Sequence, residues 1–268
     1  SIWRGAHIKN CSFQGADLVG ADFSEAHVEG GEWAESQWTG LTLEKATLLS
    51  INAVGVQAEK IQATDSSFTD VDLSGARLNE ANFNRCQFTR CTLTDSHLNQ
   101  ATLREASLKE SVLKGAILEG AKLDGIQLSD TLLTEAVLRG VQLQGVDLSE
   151  CNFTNYDLSS ANLDEVNLTG AQLRGANLSH ASLIGATLEG SSIEGADLSH
   201  ANLTRATLNI LDLTKVTLTE AKLRGAQLQG VELSEADLRG LDLSHTSLLG
   251  ANLNQADLRG ADLSESDL

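Results

Sequence analysis

The sequence has 268 residues, 41% of them hydrophobic, and 19 Lys and Arg against 37 Asp and Glu give a formal net charge of −18. A chain of this length can bury a sizeable core, and its acidity argues against direct binding to nucleic acid or to an anionic membrane surface. No apolar run approaches the roughly 20 residues that span a bilayer, and the opening SIWRGAHIKN lacks a charged-then-apolar leader, so no membrane span is expected. Nothing in it addresses a compartment, and cytoplasmic residence and signal-peptide-independent secretion both stay open. The absence of Met, with both ends inside the repeat described next, points to a processed chain or a segment of a longer one.

From Trp3 onward a period of five governs the sequence. Phe13, Phe23, Phe68, Phe83, Phe88 and Phe153, with Trp3, Trp33 and Trp38, all fall on one central slot, a coincidence with odds of roughly one in two million by chance. Two residues before the centre stands a small residue, usually Ala, and Cys11, Cys86, Cys91 and Cys151 share that slot. Two residues after it stand 22 of the 23 Gly, Gly31 being the exception. A slot that collects Gly so strictly marks a turn with positive φ or close backbone approach. Two inward residues separated by one outward residue match strand alternation, and a helical period of 3.6 cannot hold a strict five. A strand this short must pair with stacked copies of itself, so the predicted architecture is an all-β solenoid without Pro to interrupt its ladders.

The units "ADLSH", "ANLTR", "ANLNQ" and "ADLRG" resemble the A(D/N)LXX motif of pentapeptide-repeat proteins, and the resemblance covers essentially the whole chain. It implies a right-handed quadrilateral parallel β-helix with four pentapeptides per twenty-residue coil, hence one repeat domain over residues 1–268 with about thirteen coils. Function in such a fold is set by its surfaces rather than by the fold itself.

With residues twenty apart stacked in columns, the elements can be taken in chain order. His7 and His27 stack near the start. Residues 49–66 break the size pattern: the centres are Ala53, Ala58 and Ala63, while Ile51, Val56 and Ile61 take the small slots. Trp33 and Trp38 lie one coil earlier, so the exchange makes room for two large rings, with a local bulge as the alternative. The four Cys replace inward Ala and are expected as buried, inert thiols; Cys11, Cys91 and Cys151 share a column but lie whole coils apart, beyond disulfide reach.

The slot before each centre is polar except at Ile2, Val112, Ile117, Leu132 and Val137. Val112 stacks under Leu132 and Ile117 under Val137, a two-by-two apolar block on adjacent faces, with Arg104, Lys109, Lys114 and Arg139 nearby in sequence. Such a block is a candidate protein-binding or self-association surface, and Lys114 and Arg139 would favour an acidic counterpart. His180 and His200 stack further on, but Ser160 and Glu220 continue their column without a convincing third ligand, so no metal site is assigned. Residues 231–268 hold eight acids against Arg239 and Arg259, with Asp237, Asp242, Asp257 and Asp262 on outward slots. This stretch reads either as a solvated acidic face or, by the family resemblance, as a DNA mimic that engages a topoisomerase such as DNA gyrase.

A solenoid filled by its own side chains leaves no interior pocket for catalysis, and no phosphate loop precedes a helix. The expected function is therefore a non-catalytic protein-interaction scaffold, or a module of a bacterial secreted or effector-type protein, without a cofactor.

Overall fold

The computed structural model describes residues 1–128 and 130–268, and each pentapeptide is built in the same way. The unit 161–165 serves as the example. The Asn162 N–H donates to the Val141 carbonyl of the preceding coil at 2.9 Å, whereas Leu163 and Glu165 donate to Ser182 and Ile184 of the following coil at 2.7 and 2.8 Å. The Val166 N–H returns to the Leu163 carbonyl at 3.3 Å and closes the turn. One donor remains, the Asp164 N–H, and the Asn162 Oδ1 accepts it at 3.1 Å. The same cap recurs at Asp22, Asp72, Asn152, Asn177 and Asp197. Asp or Asn before the centre thus satisfies the one backbone N–H per repeat that the ladders leave over, which is the physical content of the D/N in the motif.

Each corner turns through a left-handed residue. Among the described residues, every fifth position from Gly5 to Glu265 except Lys215 has a positive φ, 60 to 76° at Gly and 50 to 63° elsewhere. A single positive φ at the third turn residue is the type II pattern, which favours Gly or Asn. Here Glu, Asp, Arg, His and even Ile210 adopt it as well.

The contacts cluster in two units, Ser1–Val137 and Leu138–Leu268. In the first, β1 (His7–Lys9), β2 (His27–Glu29), β3 (Thr47–Leu49), β4 (Ser67–Thr69) and β5 (Gln87–Thr89) form a parallel sheet in the order β1-β2-β3-β4-β5. The register advances by twenty residues per strand, His7 on His27 and Phe68 on Phe88. Its other sides are held by single parallel bridges with the same step, such as Ile2 with Asp22 and Asn52 with Asp72. In the second unit the bridges repeat that step, for example Gln142 with Asn162 and Asp237 with Asp257. Both units are therefore all-β quadrilateral solenoids of twenty-residue coils. No helix long and apolar enough to cross a membrane occurs among the described residues.

The central slot fills the interior, and Phe23, Phe88, Leu163 and Leu198 are wholly buried. The size-exchanged stretch packs inward as well: Ile51, Ala53, Val56, Ala58, Ile61 and Ala63 are buried, as are Trp33 and Trp38, whose rings meet edge-on at 5.7 Å. Bridges from Glu32 to Asn52, Gln37 to Gln57 and Asn52 to Asp72 pass through it at the twenty-residue step, so large and small have exchanged places without an extra residue. The off-frame Gly31 has its own cause. Its φ is 110°, and a Cβ there would stand against the Cys11 carbonyl oxygen.

Candidate interaction surfaces

Within the first unit the ladder pairs Val112 with Leu132 and Ile117 with Val137, bringing the four aliphatic residues together as two stacked pairs. Leu132 and Val137 are 56% and 39% exposed, while Val112 and Ile117 beneath them are half-buried. An aliphatic side chain here also has no oxygen to cap the N–H two residues on. Each of the four sites therefore forgoes the hydrogen bond that Asp or Asn makes elsewhere and exposes apolar surface in its place.

The neighbouring cations are occupied. Arg104 Nε meets Asp124 Oδ2 at 2.7 Å, Lys109 Nζ lies 3.6 Å from Glu110, and Lys114 Nζ lies 3.8 Å from Glu135. Arg139 belongs to the second unit. Lys114, one of the two bases expected to favour an acidic counterpart, thus lies near an acid of its own chain.

The four outward Asp of the last coils divide into two kinds. Arg239 clasps Asp237 through Nε and Nη2 at 2.7 and 2.6 Å, Arg259 clasps Asp257 at 2.8 and 2.6 Å, and Arg239 Nε also reaches Asp257 at 3.7 Å. The Arg259 side chain holds the Asp257 carboxyl down to about 2, and Arg239 lowers that of Asp237. Asp242 and Asp262 are ladder partners one coil apart. Asp242 accepts from the Ser244 N–H at 3.0 Å and its hydroxyl at 2.6 Å, and Asp262 from the Ser264 N–H at 2.9 Å, which keeps both carboxyls below the usual range. Of these four Asp, Asp237 and Asp257 are thus clasped by arginine, whereas Asp242 and Asp262 are held by Ser244 and Ser264 instead. A surface hollow of about 250 Å³ is lined by Thr219, Glu220, Asp237, Arg239 and Leu241.

The cysteines are free thiols. Cys86 and Cys91 are buried, and burial pushes their thiols up to about 12 and about 11. Cys151 is half-buried and its thiol is raised for the same reason. Cys11 departs from the expectation of four buried thiols: it lies in the first coil, which is covered from one side only, and it is exposed. His180 and His200 stack at 4.5 Å with rings 4° from parallel, and His200 Nδ1 is 3.2 Å from Glu220. Among the described residues no three His, Cys, Asp or Glu are arranged to hold a metal.

The model of pentapeptide repeats matches residues 1–30, 151–190, 171–209, 196–234, 212–248 and 236–268, and that of the pentapeptide repeat region matches residues 52–118 and 81–150. No curated protein matches the chain. Among solved structures, the chain is similar to HetL, a pentapeptide repeat protein involved in heterocyst differentiation regulation from the cyanobacterium Nostoc sp. strain PCC 7120, with 27% identity over 96% of this chain and 89% of that one, TM-score 0.31. It is similar to full-length QnrB1, a plasmid-mediated fluoroquinolone resistance protein, with 20% identity over 81% and 93%, TM-score 0.32. A pentapeptide repeat protein of the Arabidopsis thaliana thylakoid lumen is 29% identical over 48% of this chain and 66% of its own, TM-score 0.17. Repeat models along both units, a twenty-residue ladder step and a capping Asp or Asn before the buried Leu lead to one conclusion: the chain belongs to the pentapeptide-repeat proteins.

Proposed function

We propose that this chain is a non-catalytic scaffold, or effector-type module, that binds another protein through Val112, Ile117, Leu132 and Val137. One observation carries the reading. Four aliphatic residues occupy stacked outward slots whose usual Asp or Asn caps the turn, so the fold gains no such cap from any of them, and the upper pair, Leu132 and Val137, stays exposed. Apolar area of this kind stabilises a complex when a partner covers it. A photo-crosslinking side chain placed at Leu132 is expected to trap one discrete protein from native extract, and the same group at Gln172, an outward slot away from the block, none. Equal labelling at both positions would contradict the proposal.

A second reading has a narrower basis in the Asp242 and Asp262 stack, which supports an acidic nucleic-acid mimic acting on a topoisomerase such as DNA gyrase. Arg239 and Arg259, clasping Asp237 and Asp257, weigh against it. A supercoiling assay separates the two: the mimic requires inhibition that Asp242→Asn with Asp262→Asn abolishes, and the scaffold requires none.

A further inference from the structure

We propose that one corner of the second unit carries a two-histidine site for a divalent late transition cation such as Zn²⁺, Ni²⁺ or Cu²⁺, held by His180 and His200 and braced by Glu220. The two histidines take the same corner on consecutive coils, at φ 59° and 58°. Their backbones are fixed there, because the His180 N–H donates to the Ser199 carbonyl at 2.9 Å and the His200 N–H to the Thr219 carbonyl at 2.8 Å. Both side chains are exposed, and their rings lie 4.5 Å apart and 4° from parallel. Two nitrogens bound to one cation at about 2.0–2.1 Å stand roughly 3 Å apart, so these rings reach a common ion by tilting toward each other while the ladder stays in place.

The carboxylate selects the ligand atom. Glu220 Oε2 lies 3.2 Å from His200 Nδ1, so that nitrogen carries the proton and Nε2 keeps its lone pair for a metal. A carboxylate behind an imidazole is the arrangement that orients a metal-binding histidine and raises its basicity. The other histidines show what is special here. His245 repeats the brace, with Nδ1 3.0 Å from Glu265, but its Nε2 faces Arg224 Nη2 at 3.3 Å and the corner one coil earlier is Gly225. His7 and His27 lie 5.9 Å apart and are tilted by 50°. Among the described residues, a close parallel pair and a bracing carboxylate coincide only at His180 and His200.

Imidazole nitrogen suits Zn²⁺, Ni²⁺ and Cu²⁺, whereas Mg²⁺ and Ca²⁺ take oxygen ligands. The column continues on its other side with Ser160, so water completes the coordination and the cation stays exchangeable. A net charge of −18 draws cations toward the surface. Both imidazoles converge only when their two coils are stacked, so the cation binds the folded chain in preference and stabilises it by mass action.

Calorimetric titration of the whole chain with Zn²⁺, in excess Mg²⁺ to occupy ordinary carboxylates, reads the site. The expected result is one Zn²⁺ per chain, with a rise in thermal midpoint that a chelator reverses. His180→Gln and His200→Gln should each weaken binding at least tenfold, to the level of the double variant, because a chelate fails when either arm is lost. Gln100 and Gln255 already stand at such corners, so circular dichroism should be unchanged. Glu220→Ser, the residue type that Ser160 places in this column, should weaken binding about tenfold. Zn²⁺ uptake no greater than that of the double variant, single variants that each keep half of the uptake, or full affinity without Glu220 would overturn the proposal.

Discussion

Two residue types explain most of the local order. The Asp or Asn before each centre accepts the leftover turn N–H, as Asn162 does from Asp164 at 3.1 Å. Asn162→Asp keeps the acceptor and should leave the denaturation midpoint unchanged, whereas Asn162→Leu should cost about 1 kcal/mol in chemical denaturation. Equal stability of the two variants would refute the capping role. Gly31 is constrained more sharply, by its φ of 110° and by the Cys11 carbonyl where a Cβ would sit. Gly31→Ala is expected to destabilise by roughly 2 kcal/mol or more, since neither the backbone nor that carbonyl can yield cheaply. Gly240→Ala, at a corner with open space, should cost less in the same measurement.

At the scale of the repeat, the inward centre carries the packing and its neighbours carry the hydrogen bonds. Leu163→Asp places a carboxylate in a fully buried slot and should unfold adjacent coils, visible as lost amide protection around residues 143 to 183 with distant coils of the same unit spared. This level was the most legible in the sequence, because Phe, Trp, Ala and Gly each respect a slot that needs only neighbouring residues to define it. Gly marked the corners correctly but understated them: Glu165, Arg205 and Ile210 bend the same way without it, since closing the square demands a turn every five residues whatever the side chain. The cap was hidden because a polar outward residue reads simply as solvated. Fates that depend on a neighbour twenty residues away were harder still. The reach of Arg239 to Asp257, the pairing of Lys114 with Glu135 and the exposure of Cys11 turn on side-chain direction and on coverage by one coil rather than two.

Over the whole molecule the excess of carboxylates sets the response to acid. Hydrogen bonds to Ser24 hold Asp22 at about 2, and Arg259 holds Asp257 there. A carboxyl lowered on folding stabilises above its unfolded value of about 4, and that contribution is lost as pH falls through the folded value. Protonation also relieves the repulsion of a −18 chain, but at about 0.15 M salt that term is screened whereas the short caps are not. Thermal midpoints should therefore hold from pH 7 to about 4 and decline toward 2; a midpoint that climbs into acid would show repulsion to dominate. The block in the first unit is put to the test by changing Val112, Ile117, Leu132 and Val137 together to Asn, then measuring the thermal midpoint and capture of the protein that crosslinks at Leu132. The expected result is a midpoint unchanged or raised, because each Asn can restore a turn cap, together with loss of capture; a variant that folds and captures its partner as before would show that the block is not the binding surface.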